Sequence, residues 1–239
     1  MSVPILTYHQ IDTPPPRGTP LRGLVVSPSA FARQMAFLKC LGYRGLSMGQ
    51  LEPYLKGEQR GRVVGITFDD GYRNIAEHAL PVLKKQGFSA TCYALSGMLG
   101  ERNSWDLENG VAQKPLMTIQ DCRDWLQAGL EIGSHTRSHA DLTRIDADAA
   151  RDEIAGSRLE LEDRLGCEVR HFCYPYGRFN PEHGAMAQQA GYRTATTMRR
   201  GRAHAGDDPY ALRRIMVAQA TSLPQLALKI MTTYEDRRG

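Results

Sequence analysis

The chain has 239 residues, of which 41% are hydrophobic and 23% are charged, and this balance is typical of a globular protein with a sizeable core. Its net charge of +4 is spread over interspersed acidic and basic residues, so the charge does not indicate nucleic-acid binding. The five cysteines include no C-x-x-C pair, which argues against both a disulfide framework and a zinc knuckle.

The amino-terminal sequence MSVPILTYHQIDTPPPRG lacks the basic and long apolar segments of a signal peptide. Elsewhere, no stretch approaches the roughly 18 consecutive apolar residues that a membrane-spanning helix needs. From these two observations we expect a cytoplasmic protein without a transmembrane segment.

Short β-like runs alternate with longer helical patterns along the chain. The predicted strands cover residues 3–8, 63–68, 89–95, 130–134, 170–174, 192–197 and 214–217. The predicted helices cover about 28–41, 74–86, 118–129, 146–165, 181–190 and 221–234. Repeated alternation of this kind predicts parallel strands joined by helical crossovers. Some seven such units without a linker favour an α/β barrel that forms a single domain over residues 1–239.

Polar residues follow directly after several predicted strands. Asp69 and Asp70 come at the end of the apolar run 63–68, and neighbouring side chains on an extended backbone point apart. The two carboxylates can therefore serve a metal ion and a water molecule separately, although an Asp-Asp-Gly turn is an equally simple interpretation. His135 and His139 follow strand 130–134 at a spacing that lets both rings reach one ion, although an H-x-x-x-H pair alone is a weak signal.

Two further segments end at the same edge of the predicted barrel. The sequence Cys173-Tyr174-Pro175-Tyr176-Gly177 predicts a rigid loop after strand 170–174, and His9 ends the first strand. In a β/α barrel the carboxyl ends of all strands lie on one face, where active sites form. Aspartate and histidine side chains that meet there have the ligand types of a catalytic metal site.

The stretches TFDDGY (67–72), SHTRSH (134–139) and CYPYG (173–177) resemble the polysaccharide deacetylases, the NodB-homology group also called carbohydrate esterase family four. The resemblance implies a distorted (β/α)7 barrel and the removal of N-acetyl groups from a saccharide that contains an amino sugar, with release of acetate. It also implies that Asp70, His135 and His139 bind one divalent metal ion, usually Zn2+, and that Asp69 is the general base.

The resemblance extends to the residues expected around the substrate. The loop formed by Tyr174, Pro175 and Tyr176 would line the substrate groove, and the backbone N–H of Tyr176 is the expected oxyanion donor. The resemblance also reaches the Trp105-Asp106 pair and the PLMT stretch at 115–118, and we place Trp105 among the substrate-binding residues.

Two departures from the common family pattern favour the exopolysaccharide N-deacetylase subgroup. Cys173 stands where many relatives have arginine, and no histidine follows His204 to provide the usual carboxyl-terminal general acid. In that subgroup a Tyr-His pair on the first strand supplies the acid, which matches Tyr8 and His9. Arg214 is the expected residue that orients the base.

The expected substrate is an oligosaccharide, lipid-linked or nucleotide-linked sugar, because a cytoplasmic enzyme would not meet a mature extracellular polymer. A glycosidase is a weaker alternative, since two catalytic carboxylates must face each other across a sugar and adjacent aspartates diverge. The alternative from another class is a catalytically inactive module of the same fold that binds metal and carbohydrate.

Overall fold

The computed structural model describes residues 2–238. Its twelve strands are β1 (Ser2–Val3), β2 (Ile5–Tyr8), β3 (Gln10–Ile11), β4 (Val25–Val26), β5 (Arg44–Leu46), β6 (Val63–Phe68), β7 (Thr91–Ala94), β8 (Glu131–Ser134), β9 (His171–Cys173), β10 (Thr194–Arg200), β11 (Ala203–His204) and β12 (Leu212–Met216). Its α-helices are α1 (Pro28–Cys40), α2 (Met48–Leu55), α3 (Arg73–Gln86), α4 (Ile119–Gln127), α5 (Ala147–Arg151), α6 (Ser157–Leu165), α7 (Pro181–Gln189) and α8 (Leu223–Met231). Across residues 2–238, none of the helices combines the length and apolar character that a membrane crossing needs.

Seven parallel strands close into a barrel in the spatial order β2, β12, β10, β9, β8, β7 and β6, and β6 pairs again with β2. Most of their residues are buried, as expected for parallel strands that are covered by helices on the outside and packed within. The predicted single-domain (β/α)7 barrel is therefore confirmed. The pairing of β10 with β12 carries a register shift, which is one local distortion of the barrel.

Local sequence signals account for several helix ends. Ser27 accepts a hydrogen bond from the Ala30 N–H at the start of α1, and Thr118 forms a capping box with Asp121 at the start of α4. Gly87 and Gly166 end α3 and α6 in left-handed backbone conformations that glycine adopts at little cost. These ends agree with the sequence-based prediction to within one or two residues.

The structure departs from the predicted elements in several places. Helix α2 and the short strands β3, β4, β5 and β11 were not predicted, and β5 adds to the amino-terminal half of β6 outside the closed ring. β10 covers Thr194–Arg200 rather than 192–197, and α8 ends at Met231 rather than at 234. The final strand begins at Leu212, two residues earlier than predicted. The predicted helix 146–165 is interrupted, because a π-helical turn at Asp152–Gly156 separates α5 from α6.

A buried ionic cluster lies at the amino ends of the barrel strands, opposite the face where the carboxyl ends gather. Glu131 accepts hydrogen bonds from Thr91 Oγ1 at 2.6 Å and from the Gly49 N–H of α2 at 3.0 Å. His171 Nε2 lies 3.4 Å from a Glu131 oxygen and 3.7 Å from a Glu52 oxygen. Burial alone would raise the pKa of Glu131, but the adjacent His171 ring and the hydrogen bonds from Thr91 and Gly49 lower it to about 2.

We expect Glu131→Gln to reduce the acid sensitivity of the fold. Because the folded-state pKa lies below the ordinary 4.5, the carboxylate stabilises the protein above that value and the contribution is lost as the pH falls toward 2. Between pH 6 and pH 3.5, the wild type should lose roughly 1–2 kcal/mol more of its unfolding free energy than the variant, measured by urea denaturation. The exposed Glu58→Gln is the control; equal acid sensitivity of Glu131→Gln and wild type would contradict the assignment.

Candidate active site

The carboxyl ends of the barrel strands surround a cavity of about 580 Å³. Loops after β2, β6, β7, β8 and β9 contribute to its walls, and all the predicted metal-binding residues reach it. Asp69 and Asp70 leave β6 at this face, and His135 follows β8. The barrel therefore brings Asp69 and His135 together although 66 positions separate them in the sequence.

Asp70, His135 and His139 form a compact, buried group of metal-ligand types. Asp70 Oδ1 lies 3.3 Å from His135 Nε2 and 3.3 Å from His139 Nε2. One possible ligand atom from each residue lies within 4.8 Å of the others, and no other such group occurs among residues 2–238. Two imidazoles and one carboxylate are a common ligand set for a catalytic divalent ion that keeps open positions for water and substrate.

The hydrogen bonds around His135 fit the role of a ligand. Its Nδ1 lies 2.7 Å from the Cys173 carbonyl oxygen, which can only accept, so Nδ1 carries the proton and Nε2 faces Asp70. Burial opposes protonation of His139 and lowers its pKa, which leaves this ring neutral near neutral pH. Burial alone would raise the pKa of Asp70, but the two adjacent histidine rings hold it well below the usual range. One carboxylate and two imidazole rings that converge within 4.8 Å suit a divalent cation.

The backbone of these loops adopts conformations that are unfavourable for residues with a side chain. Asp70, Thr136, His139 and Tyr176 have φ angles of 69°, 70°, 65° and 58°. The one other non-glycine residue with positive φ among residues 2–238, Leu21, also lines the cavity. Such residues persist only where surrounding contacts hold them, and they concentrate at functional sites.

A buried ion pair holds Asp69 beside the candidate metal ligands. Arg214 projects from β12 and donates to both Asp69 carboxylate oxygens, each at 2.7 Å. The same guanidinium donates to Thr67 Oγ1 at 3.0 Å and lies 3.1 Å from Cys173 Sγ. Burial alone would raise the pKa of Asp69, but the adjacent Arg214 holds it below its ordinary value. Asp69 is therefore ionised and fixed in orientation near neutral pH.

His9 lies on the other side of Asp69, just after β2. Its Nε2 is 3.9 Å from Asp69 Oδ2, and its side chain is 13% exposed, so the ring borders the cavity without being sealed from it. His204 lies far from this position, on β11 beside a separate cavity at the amino ends of the strands. The structure therefore removes His204 from consideration as a group that acts at the same centre.

Aromatic residues line the mouth of the cavity. Trp105 stacks on the His139 ring with 4.5 Å between centroids, and Tyr176 meets the same ring edge-on at 4.6 Å. Tyr176 is 44% exposed, whereas Tyr174 is buried and donates its hydroxyl to the Tyr210 carbonyl. Both tyrosines line the cavity, and Pro175 is buried within the loop that carries them.

Sequence reasoning gave no role to two further residues. Asp106 lines the cavity beside Trp105 and is 6% exposed; burial and the nearby charge of Asp70 raise its pKa. Thr7 points into the barrel from β2, and its hydroxyl donates to Asp69 at 3.3 Å. The Trp-Asp pair in a long irregular loop was the available signal for Asp106, whereas a threonine within an apolar strand gives no comparable signal.

Comparison with known sequences agrees with the geometry. A sequence model of the family described as polysaccharide deacetylase matches residues 56–195. YxkH of Bacillus subtilis (strain 168), a protein named as a candidate polysaccharide deacetylase, is 29% identical over 92% of this chain and 73% of its own length. The poly-β-1,6-N-acetyl-D-glucosamine N-deacetylase of Staphylococcus aureus (strain MRSA252) is 24% identical over 83% of this chain and 69% of its own length.

Solved structures extend the likeness over the whole barrel. The Streptococcus pyogenes deacetylase PplD, solved in complex with acetate, is 28% identical with a TM-score of 0.83, and the match covers 96% of this chain and 98% of PplD. IcaB from Ammonifex degensii is 26% identical with a TM-score of 0.79, and 97% of each chain is covered. Since the family model spans more than half of the chain, and the fold matches nearly end to end, this protein is a member of the polysaccharide deacetylase family.

Proposed function

We propose that this protein is a metal-dependent carbohydrate N-deacetylase that hydrolyses the acetamide of an N-acetylated amino sugar to acetate and a free amine. The observation that carries the proposal is the juxtaposition of Asp69, held by Arg214, with the Asp70, His135 and His139 group at one end of the cavity. A hydrolase of this kind needs an ionised base and a Lewis-acid site side by side.

The candidate metal ligands would be Asp70, His135 and His139. The chemistry that a bound divalent ion, most simply Zn2+, supplies is that of a Lewis acid, which makes water more acidic and a carbonyl group more electrophilic. Asp69 would accept the proton of the attacking water, because Arg214 keeps its carboxylate ionised. Thr7 and Arg214 would keep that carboxylate from rotating away.

Two other groups complete the proposed machinery. The Tyr176 backbone N–H would donate to the oxyanion that forms on the acetyl carbonyl, and the left-handed conformation of Tyr176 shapes the loop that aims it. His9, in its protonated form, would donate a proton to the departing sugar nitrogen from the open side of the cavity. Trp105, Tyr174, Pro175 and Tyr176 would form the wall against which the sugar ring lies.

The relatives suggest which substrate to assay first. The Staphylococcus aureus relative is named for poly-β-1,6-N-acetyl-D-glucosamine, so β-1,6-linked N-acetylglucosamine oligosaccharides are the first choice. Lipid-linked and nucleotide-linked N-acetyl sugars should be assayed alongside them. These are the substrates that we predict for a cytoplasmic enzyme, and the assay tests that prediction. The cavity is large enough for one or two sugar units to enter.

We expect measurements of metal content and acetate release to distinguish the roles of Asp69 and Asp70. Wild-type protein should hold about one divalent ion per chain by elemental analysis, and a chelator should abolish acetate release. Asp70→Ala should lose the ion, whereas Asp69→Asn should keep it and still lose turnover. A wild type that cannot be loaded with any divalent ion would refute the proposal. Saccharide binding without acetate release would favour the inactive carbohydrate-binding module.

The general-acid assignment predicts a large kinetic effect of His9→Ala. Turnover should fall by about 100-fold or more while metal content stays that of the wild type, because proton donation to the leaving amine is lost. His204→Ala is the matched control, since that ring lies beside the separate cavity at the amino ends of the strands. Wild-type kinetics for His9→Ala would remove His9 from the mechanism.

The ion pair predicts that Arg214→Met destabilises the protein by about 3–5 kcal/mol at neutral pH, because Asp69 stays buried without its partner. In the wild type the pKa of Asp69 lies below its ordinary value, so the charged carboxylate stabilises the fold above that ordinary pKa and the stabilisation is lost as the pH falls through the lowered pKa. In the variant, protonation of Asp69 removes an unpaired buried charge, so a falling pH stabilises the fold. The difference in unfolding free energy should therefore shrink from pH 7 to pH 4. The exposed neighbour Arg213→Met serves as the control, and a pH-independent difference would contradict this account.

A further inference from the structure

The helix that follows the candidate metal loop contains an irregular turn. The backbone stays in the right-handed helical conformation from α5 into α6, but the five residues Asp152–Gly156 between them form a π-helical rather than an α-helical turn. A π turn holds one residue more than an α turn, so it changes which side chains face a neighbouring loop. Turns of this type are rare and occur frequently at functional sites.

The side chain that this turn presents to the loop is Glu153. Its Oε2 accepts hydrogen bonds from the backbone N–H of Arg137 at 2.8 Å and of Ser138 at 3.0 Å. Its Oε1 accepts the hydroxyl hydrogen of Ser138 at 2.6 Å. One carboxylate therefore holds the two residues that lie in the middle of the loop from His135 to His139.

These bonds support the least favourable part of the loop backbone. Thr136 and His139, on either side of the residues bound by Glu153, have φ angles of 70° and 65°. Within the loop itself, the His139 N–H donates to Thr136 Oγ1 at 3.1 Å. Two left-handed non-glycine residues so close together need external contacts to persist, and the contacts of Glu153 fall directly between them.

Both carboxylate oxygens of Glu153 act as acceptors. Two of the three donors are backbone N–H groups, which can only donate, and both bond to Oε2. The third donor is the Ser138 hydroxyl, which can also accept, so a glutamine could keep all three contacts, whereas an alanine removes them together. The neighbouring Asp152 faces outward and pairs with the Arg137 side chain at the surface, so it does not touch the loop backbone.

We propose that Glu153 is a positioning residue for the candidate metal site, delivered by the π turn so that the loop holds His139 Nε2 toward Asp70. This inference rests on the proposed function, because it requires that the site bind a divalent ion. Outer residues that orient metal ligands commonly change metal affinity by 10- to 100-fold when they are altered. Glu153 acts in this way through the loop backbone, without contact with ion or substrate.

The test is the affinity of the full chain for Zn2+, measured by competition with a chromogenic chelator, in wild type, Glu153→Ala and the matched control Asp152→Ala. Glu153→Ala should bind Zn2+ about 10- to 100-fold more weakly, and Asp152→Ala should stay within about twofold of the wild type. The visible absorption spectrum of the Co2+-loaded proteins should change in band position or intensity for Glu153→Ala alone, because the spectrum reports ligand geometry rather than stability.

Wild-type Zn2+ affinity together with a wild-type Co2+ spectrum in Glu153→Ala would overturn the inference. So would an equal loss of affinity in Asp152→Ala, since the effect would then belong to the helix as a whole. Should Glu153→Ala fail to fold, Ser138→Ala removes only one of the three bonds and should still weaken Zn2+ binding measurably; an unchanged affinity would count against the inference. A wild type that binds neither ion would overturn the proposed function itself.

Discussion

The ion pair between Asp69 and Arg214 is the interaction on which the arrangement of the site depends. A carboxylate at 2% exposure inside a barrel would be neutral or would destabilise the fold if it stood alone. The two parallel bonds from the guanidinium keep it charged and allow it a single orientation. Because Arg214 is itself held by Thr67 and by the Thr197 carbonyl, the orientation of the Asp69 carboxylate is fixed by contacts with three barrel strands.

The candidate metal ligands are held by a different principle. Asp70 and His139 occupy strained backbone positions at the ends of tight loops, and His135 is oriented through a hydrogen bond to the strand that carries Cys173. Side chains on barrel strands thus hold Asp69, whereas loops held from outside carry the candidate metal ligands. A loop can take backbone conformations that no regular strand allows. Contacts with the surrounding barrel offset the free-energy cost of those conformations.

Much of the fold and of the site could be predicted from the sequence because the informative signals are local. Apolar strands followed at once by Asp69, His135 or Tyr174 reveal both the strand and its functional end, and barrel geometry brings those ends together. β5 and α2 escaped prediction because β5 has three residues with a glycine at its centre and α2 contains Pro53. The position of Glu153 beside the loop could not be predicted for another reason. It is one of many charged residues in a predicted helix, and only the π turn seen in the structure distinguishes it.

The position of β12 has a consequence for how the protein is made. This strand completes the ring between β2 and β10, and Arg214 lies 145 residues after Asp69. During synthesis β6 and Asp69 leave the ribosome long before Arg214 has been added to the chain. The nascent chain therefore holds the Asp69 carboxylate without its ion-pair partner until β12 docks. Closure of the ring and pairing of Asp69 with Arg214 therefore both depend on β12, and a fragment that ends before this strand has neither a closed barrel nor a guanidinium beside Asp69.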